Sequence, residues 1–245
     1  MNVRPADKSQ VFLYALPGIA IAFINLPAAM ILPTFYVEHT AATLTGIGVV
    51  NLLRWWFDAA TDPLVGYLSD RTESRWGRRK PWLVAGAIVS SVAIFQLFRP
   101  PEDAGNVYYG VWLCGVYLGF TIFSISHLAW GSELAVSYHD RSRISTYYSV
   151  MTVLGSLLFW TLPLLLSPFT GSAEIGPAAV NGIAWIFIFL MPLSALLAVS
   201  VVPRGRDLSQ RAPQPLRQTV RDLSFNRPLS RFVIAQAIWG VGQGM

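Results

Sequence analysis

Two carboxylates stand inside an apolar run. The stretch RWWFDAATDPLVGYLSDRTESRWGRRKPW, residues 54–82, carries Asp58 and Asp62 four positions apart, with Arg54 a further turn back. At helical spacing all three share one face. Counted from Asp70 at about 1.5 Å per residue, Asp62 lies about 12 Å deep and Asp58 about 18 Å, close to the middle of a bilayer core about 30 Å thick. A charge at that depth costs a few kcal/mol, and intramembrane acids so often mark ion or proton pathways that a bare structural salt bridge is the weaker reading. One arginine matches one of the two carboxylates. The other needs a cation, either a proton or Na+.

The rest of the chain supplies the bilayer helices that such a site requires. Of its 245 residues 53% are hydrophobic and 13% charged, about half the charge of a soluble domain. Sixteen prolines and 19 glycines are spread through the apolar runs, as membrane helices tolerate. Six runs reach the roughly 17–25 residues a spanning helix needs: residues 11–37, 44–68, 82–98, 107–134, 144–167 and 178–202. A seventh opens at Arg231 and reaches Met245, too short to cross, so the chain is expected to stop in mid-helix. The N-terminal MNVRPADKSQ has the charge of a signal peptide, but the run behind it is too long for one and is read as a retained helix. Sixteen of the 18 basic residues fall at the N-terminus, in the 2–3 and 4–5 loops and after residue 203. Glu38, Glu102, Asp103 and Glu174 lie in the opposite loops. Positive residues stay inside, so the N-terminus and the 204–230 linker are expected to be cytoplasmic. The basic balance is thereby topological and not a nucleic-acid surface.

Local features have two readings each. Pro17, Asn25, Pro27 and Pro33 bend the first helix, which suits either a cavity wall or packing alone. Gly115 and Gly119 form a close-packing motif. LRQTVRDL, residues 216–223, is either a surface helix or plain linker. Cys114, the one cysteine, excludes an internal disulfide and is read as packing. No GxxxxGK[ST] and no HExxH is present, and His39, His127 and His139 are scattered, which argues against an ATPase or a zinc enzyme. Aspartyl proteases oppose two aspartates from different helices, which a pair on one helix does not fit.

The spacing D-x-x-x-D-P-x-x-G followed by D-R-T-x-S-R-x-G-R-R-x-P-W runs through Asp58, Asp62, Pro63, Gly66, Asp70, Arg71, Thr72, Ser74, Arg75, Gly77, Arg78, Arg79, Pro81 and Trp82. It resembles the signature of the glycoside–pentoside–hexuronide:cation symporters, the melibiose-permease-like branch of the major facilitator superfamily. AWGSELAVSYHDRSRIS (129–145) and NRPLSRF (226–232) resemble further family segments. The resemblance implies an all-α membrane fold of twelve helices in two six-helix bundles. This chain would be the N-terminal half: a bundle of two three-helix inverted repeats over residues 1–203, a cytoplasmic basic linker over 204–230, and the start of helix 7 over 231–245, with the C-terminal bundle missing. It implies that Asp58 and Asp62 hold the coupling ion. The family's third carboxylate falls on Ser124, with Thr121 near it, and Thr61 stands where Asn is common. Fewer charged oxygens favour H+ over Na+. On the sugar side the helix-4 pair is Ser126-His127, the helix-5 arginine falls near Tyr148 or Ser149, and a helix-1 acid falls near Ala22. Asn25, Arg54, His127 and Trp130 are the candidates for the substrate cavity. Gly66, Asp70, Arg71, Arg75, Gly77, Arg78 and Arg79 are those for a conformational gate.

The expectation is therefore a cation-coupled secondary transporter in a bacterial inner membrane, importing a sugar or glycoside by alternating access. It is not an enzyme, has no cofactor beyond the coupling ion, and is monomeric at full length. The alternatives are a more apolar or lipid-like solute, or a non-transporting membrane binding or scaffold protein if the chain is truly half-length.

Overall fold

The computed structural model describes residues 7–170 and 176–205, with Arg231 and Ala235; the side chains of residues 24–30, 163, 166, 169 and 170 are outside that description. The described residues contain helices and no strand. The linker over 206–230, with LRQTVRDL in it, and nearly all of the 231–245 segment lie outside them. The chain divides into two units, Met1–Arg206 and Asp207–Met245, and the first holds every helix described below.

The first apolar run is three helices in series: α1 (Lys8–Ala15), α2 (Pro17–Met30) and α3 (Leu32–His39). Pro17 brings no N–H to the ladder, so the chain turns at Leu16, where Ile19 N donates to Leu16 O at 3.0 Å. The second break, at Ile31, precedes Pro33 in the first turn of α3. The bend expected from the prolines is thus two discrete breaks.

Helix α4 (Leu44–Arg71) opens on Thr43, whose hydroxyl accepts from Gly46 N at 3.2 Å. Helices α5 (Lys80–Leu97), α6 (Asn106–Leu134), α7 (Tyr138–Thr170) and α8 (Pro177–Val201) follow. Helix α7 begins six residues ahead of the expected apolar run, so Arg141 and Arg143 lie in its first turns and not in a loop. Its start is set by a reciprocal cap: Ser137 Oγ accepts from Asp140 N at 3.1 Å, and Asp140 Oδ2 accepts from Ser137 N at 3.0 Å. Helices α5, α6 and α8 are each long and apolar enough to cross a membrane. Helix α4 is longer than α5 or α8 but carries Arg54, Asp58 and Asp62 within it.

Helix α6 packs between α4 and α5, α2 packs on α7, and α8 lies against α5 and the α1–α2 segment. Small residues set the close approaches. A Cβ on Gly119 would stand 2.7 Å from Ser90 Cα, and one on Gly155 2.8 Å from Ile19 Cα. The core between the helices is aromatic, with Tyr36, Tyr109, Phe23, Phe123, Trp130 and Phe187 buried. The outer surface is apolar too: Leu52, Trp56, Val107, Leu128, Trp160 and Phe189 are exposed. A water-soluble monomer rarely carries that much apolar surface; a protein whose solvent is lipid must.

Candidate functional site

The polar residues of α4 meet α6 at two levels. At the upper level Arg54 is 9% exposed, and its Nη1 donates to Asp58 Oδ2 at 3.0 Å. The guanidinium carbon sits 3.9 Å from the ring centre of Tyr117 and 4.4 Å from that of Trp55. Aromatic faces and a carboxylate together hold the charge. Asp58 Oδ1 is buried with no hydrogen-bond partner among the described residues. One turn on, Asp62 is exposed, and its Oδ1 accepts from Thr121 Oγ1 of α6 at 2.8 Å.

The two aspartates therefore differ, although the spacing presents them as a pair. Asp58 is paired with an arginine of its own helix, and the partner of Asp62 is a neutral hydroxyl from α6. Of the neighbouring candidates, Thr61 turns back to its own helix, donating to Phe57 O at 3.0 Å, and Ser124 is half-buried one turn beyond Thr121. The Asn25 side chain lies outside the described residues.

The lower level is a charge cluster. Arg79 is 7% exposed. It donates from Nη1 to Ser69 Oγ at 2.9 Å, from Nε to Glu133 Oε1 at 3.0 Å, and from Nη2 to Asp70 Oδ1. Arg78 Nη2 donates to the same Glu133 oxygen at 2.6 Å. Two guanidinium groups and two carboxylates balance; Arg79 and Glu133 are buried, which their pairing makes tolerable, and Asp70 is exposed. The turn that aims them depends on Gly77, at φ +98°, a conformation that favours glycine; its N–H donates to Ser74 O at 3.0 Å. Ser69 Oγ also donates to Gly66 O at 3.0 Å. Trp82 Nε1 donates to Thr72 Oγ1 at 2.8 Å, tying α5 to the end of α4.

Of the residues grouped from the sequence as a gate, the structure brings Asp70, Gly77, Arg78 and Arg79 together, and Gly66 adjoins them through Ser69. Arg71 is elsewhere, its guanidinium 4.1 Å from the Tyr67 ring centre, and Arg75 is exposed; among the described residues neither joins an ion pair. Glu133, which receives both arginines, went unassigned in the sequence. Its signal was an acid at the basic end of an otherwise apolar helix.

His127 and Trp130 are buried where α6 meets α1 and the chain leaving α8. Tyr14 OH donates to His127 O at 2.8 Å, and His127 Nε2 lies 2.8 Å from Tyr14 O. A carbonyl can only accept, so Nε2 carries the proton. The His127 and Tyr14 rings stack with centres 4.2 Å apart. Trp130 Nε1 donates to Pro203 O at 3.2 Å. These bonds go to α1 and to the chain after α8, not to the carboxylates of α4.

Apolar outer surface, membrane-length helices and charges balanced inside a helical bundle define an integral membrane protein. Residues 13–245 match the family model described as MFS/sugar transport protein, and the chain belongs to that family, one of transporters and not of enzymes. It is 28% identical over 214 residues to an uncharacterized symporter of Synechocystis, covering 83% of this chain and 36% of that one. It is 28% identical to the lactose permease of Lactobacillus delbrueckii subsp. bulgaricus, covering 74% and 31%. To the inner membrane symporter YicJ of Escherichia coli it is 26% identical, covering 78% and 42%. The chain thus spans between about a third and two-fifths of the length of the curated relatives it matches.

Proposed function

We propose that this chain forms the N-terminal bundle of a cation-coupled secondary transporter, and that Asp62 is the carboxylate that takes up the coupling ion. The observation that carries the proposal is the unequal partnering of the two aspartates. Arg54 already meets the charge of Asp58, and among the described residues Asp62 has only the hydroxyl of Thr121. A single carboxylate with one hydroxyl suits a proton better than Na+, which needs a cage of oxygens. Thr121 also answers either state: it donates to a carboxylate, and its oxygen accepts from a carboxylic acid.

Helix contacts support two inverted three-helix repeats. Exchanging α1–α3 with α6, α4 with α7, and α5 with α8 turns the α2–α7 contact into the α6–α4 contact. It turns α5–α6 into α8 on α1–α2, and α5–α8 into itself. All of these pairs are in contact. The proposal has six crossings with the arginine-rich ends in the cytoplasm of a bacterial inner membrane. The Arg78–Arg79–Asp70–Glu133 cluster is then an inner gate. The solute class is a sugar or glycoside, on the names of the family and of the lactose permeases.

The test uses the full-length protein in vesicles, recording pH on addition of each of a panel of glycosides with and without Na+. A sugar-triggered proton flux that Asp62→Asn abolishes is the expected result. Uptake that requires Na+ and moves no protons would overturn the choice of ion. No response to any sugar from folded protein would overturn the solute class.

A further inference from the structure

The chain leaves α8 across the face that holds the charge cluster. Lys80 Nζ, on the first residue of α5, donates to Val199 O and Val202 O, each at 2.7 Å. Trp130 takes the next carbonyl, that of Pro203, and its ring centre lies 5.6 Å from Lys80 Nζ. Two residues further on, the backbone lies against Glu133: a Cβ on Gly205 would stand 2.5 Å from Glu133 Cβ. The Arg204 stem packs on the turn below, where a Cβ on Gly77 would be 3.3 Å from Arg204 Cγ. Residues 203–205 therefore touch both the turn that aims Arg78 and Arg79 and the carboxylate those arginines share.

Ending a helix does not require this arrangement. Water at an exposed end satisfies the last carbonyls, whereas a buried ammonium is expensive to keep. Lys80 is 9% exposed and, among the described residues, no carboxylate pairs with it. Its bonds are spent on the chain leaving α8, and Trp130 reinforces them.

We infer that residues 203–205 are a working part of the gate: a strap, fixed by Lys80 and Trp130, that holds Glu133 in line for Arg78 and Arg79. Lys80 and Gly205 are positioning residues that act through Glu133. The inference rests on the gate reading of the cluster and makes the exit from the bundle and the charge cluster one mechanical unit. Displacing the strap loosens the cluster, and breaking the cluster frees the strap.

The test is alkylation of the full-length protein in vesicles with Ser69→Cys as the sole cysteine, using an impermeant maleimide on the arginine-rich side. Ser69 is fully buried under Arg79, so its labelling rate reads the opening of the cluster without any solute. Gly205→Ala places a methyl against Glu133 and raises the rate about tenfold, an ordinary size for such coupling. Lys80→Met, which keeps the stem and removes the donors, does the same, and Arg79→Gln sets the upper limit. Two results would overturn the strap: an unchanged rate in Gly205→Ala, or a Lys80→Met protein that loses amide protection at residues 199–202 while labelling stays slow. Unchanged labelling in Arg79→Gln would sink the gate reading beneath it. Neither outcome depends on which solute is carried, so the sugar assay fails or succeeds separately.

Discussion

Asp58→Asn should damage the protein's stability and Asp62→Asn should not, although the two residues are one turn apart on one helix. The Arg54 and Asp58 side chains are 11% and 19% exposed. Removing the charge leaves a buried guanidinium with a neutral amide oxygen and the faces of Trp55 and Tyr117. Breaking a buried pair by deleting one partner costs about 3–5 kcal/mol. The lower end applies here, since the aromatic contacts retain about 1 kcal/mol. At about 2–4 °C per kcal/mol for a domain of this size, Asp58→Asn should lower Tm by roughly 10 °C. Asp62→Asn keeps an oxygen for Thr121 and removes an exposed charge, so Tm should stay within about 3 °C of wild type. The double replacement of Arg54→Met with Asp58→Leu removes both charges, and swapping a buried pair for apolar groups is often close to neutral. The assay is thermal unfolding in detergent of wild type, Asp58→Asn, Asp62→Asn and the double replacement, compared side by side. If the double replacement is as unstable as Asp58→Asn alone, or if Asp58→Asn melts with wild type, then the division of roles between the aspartates is wrong.

Two further outcomes follow from geometry alone. Gly119→Ala puts a methyl 2.7 Å from Ser90 Cα and should cost about 1–3 kcal/mol by overpacking. Gly48→Ala on exposed α4, where a Cβ meets nothing within 4 Å, should instead gain about 0.5–1 kcal/mol from helix propensity; thermal unfolding compares the two. Hydrogen bonds from Ser137 hold the Asp140 carboxyl below its usual range. That depressed value means the support Asp140 gives to the start of α7 is present above its unfolded pKa near 3.9. It is lost as pH falls through the lower, folded value. Amide protection at Arg141 and Ser142 should hold from neutral pH down to about 4 and decline below it, and Ser137→Ala should move that decline upward.

Helix positions were legible in the sequence because apolar length decides them. Five of the six runs became helices with ends within a few residues of expectation, and the departures have local causes: Pro17 and Pro33 in the first run, the Ser137–Asp140 cap before the fifth. The paired aspartates were legible as a candidate site because carboxylates are so rare in an apolar run. Which aspartate has which partner was not: the resemblance put Thr121 near the pair, but only α4–α6 packing, across 59 positions, gives its hydroxyl to Asp62. Glu133 was hidden for the same reason, 54 positions from Arg79. His127 and Trp130 suggested chemistry by residue type, yet the structure gives His127 Nε2 and Trp130 Nε1 to backbone carbonyls. Lys80 counted in the sequence only toward topology, because the carbonyls it binds are in the last turn of α8 and just past it, more than a hundred positions away.

Both levels of chemistry fall on the same helix pair, and that has a mechanical consequence. From Asp62 to Asp70 is about 12 Å along α4, and from Thr121 to Glu133 about 18 Å along α6, at 1.5 Å per residue. One polar contact between α4 and α6 is the Thr121–Asp62 bond; another runs through Arg79, which ties Asp70 at the end of α4 to Glu133 at the end of α6. A packed helix pair held at both ends shifts as a unit and does not deform at one point. On the proposed function, neutralising Asp62 changes the first contact from a charged to a neutral hydrogen bond, roughly halving its strength. That change biases the pair that the gate closes. The ion then does not have to reach the gate to act on it, and neither does the solute. What the arrangement requires is that α4 stay in one piece between the two levels. Pro63 removes the ladder bond that would run back to Ala59 O, so the turn it weakens is the one between Asp58 and Asp62, above the stretch of α4 that links Asp62 to the gate.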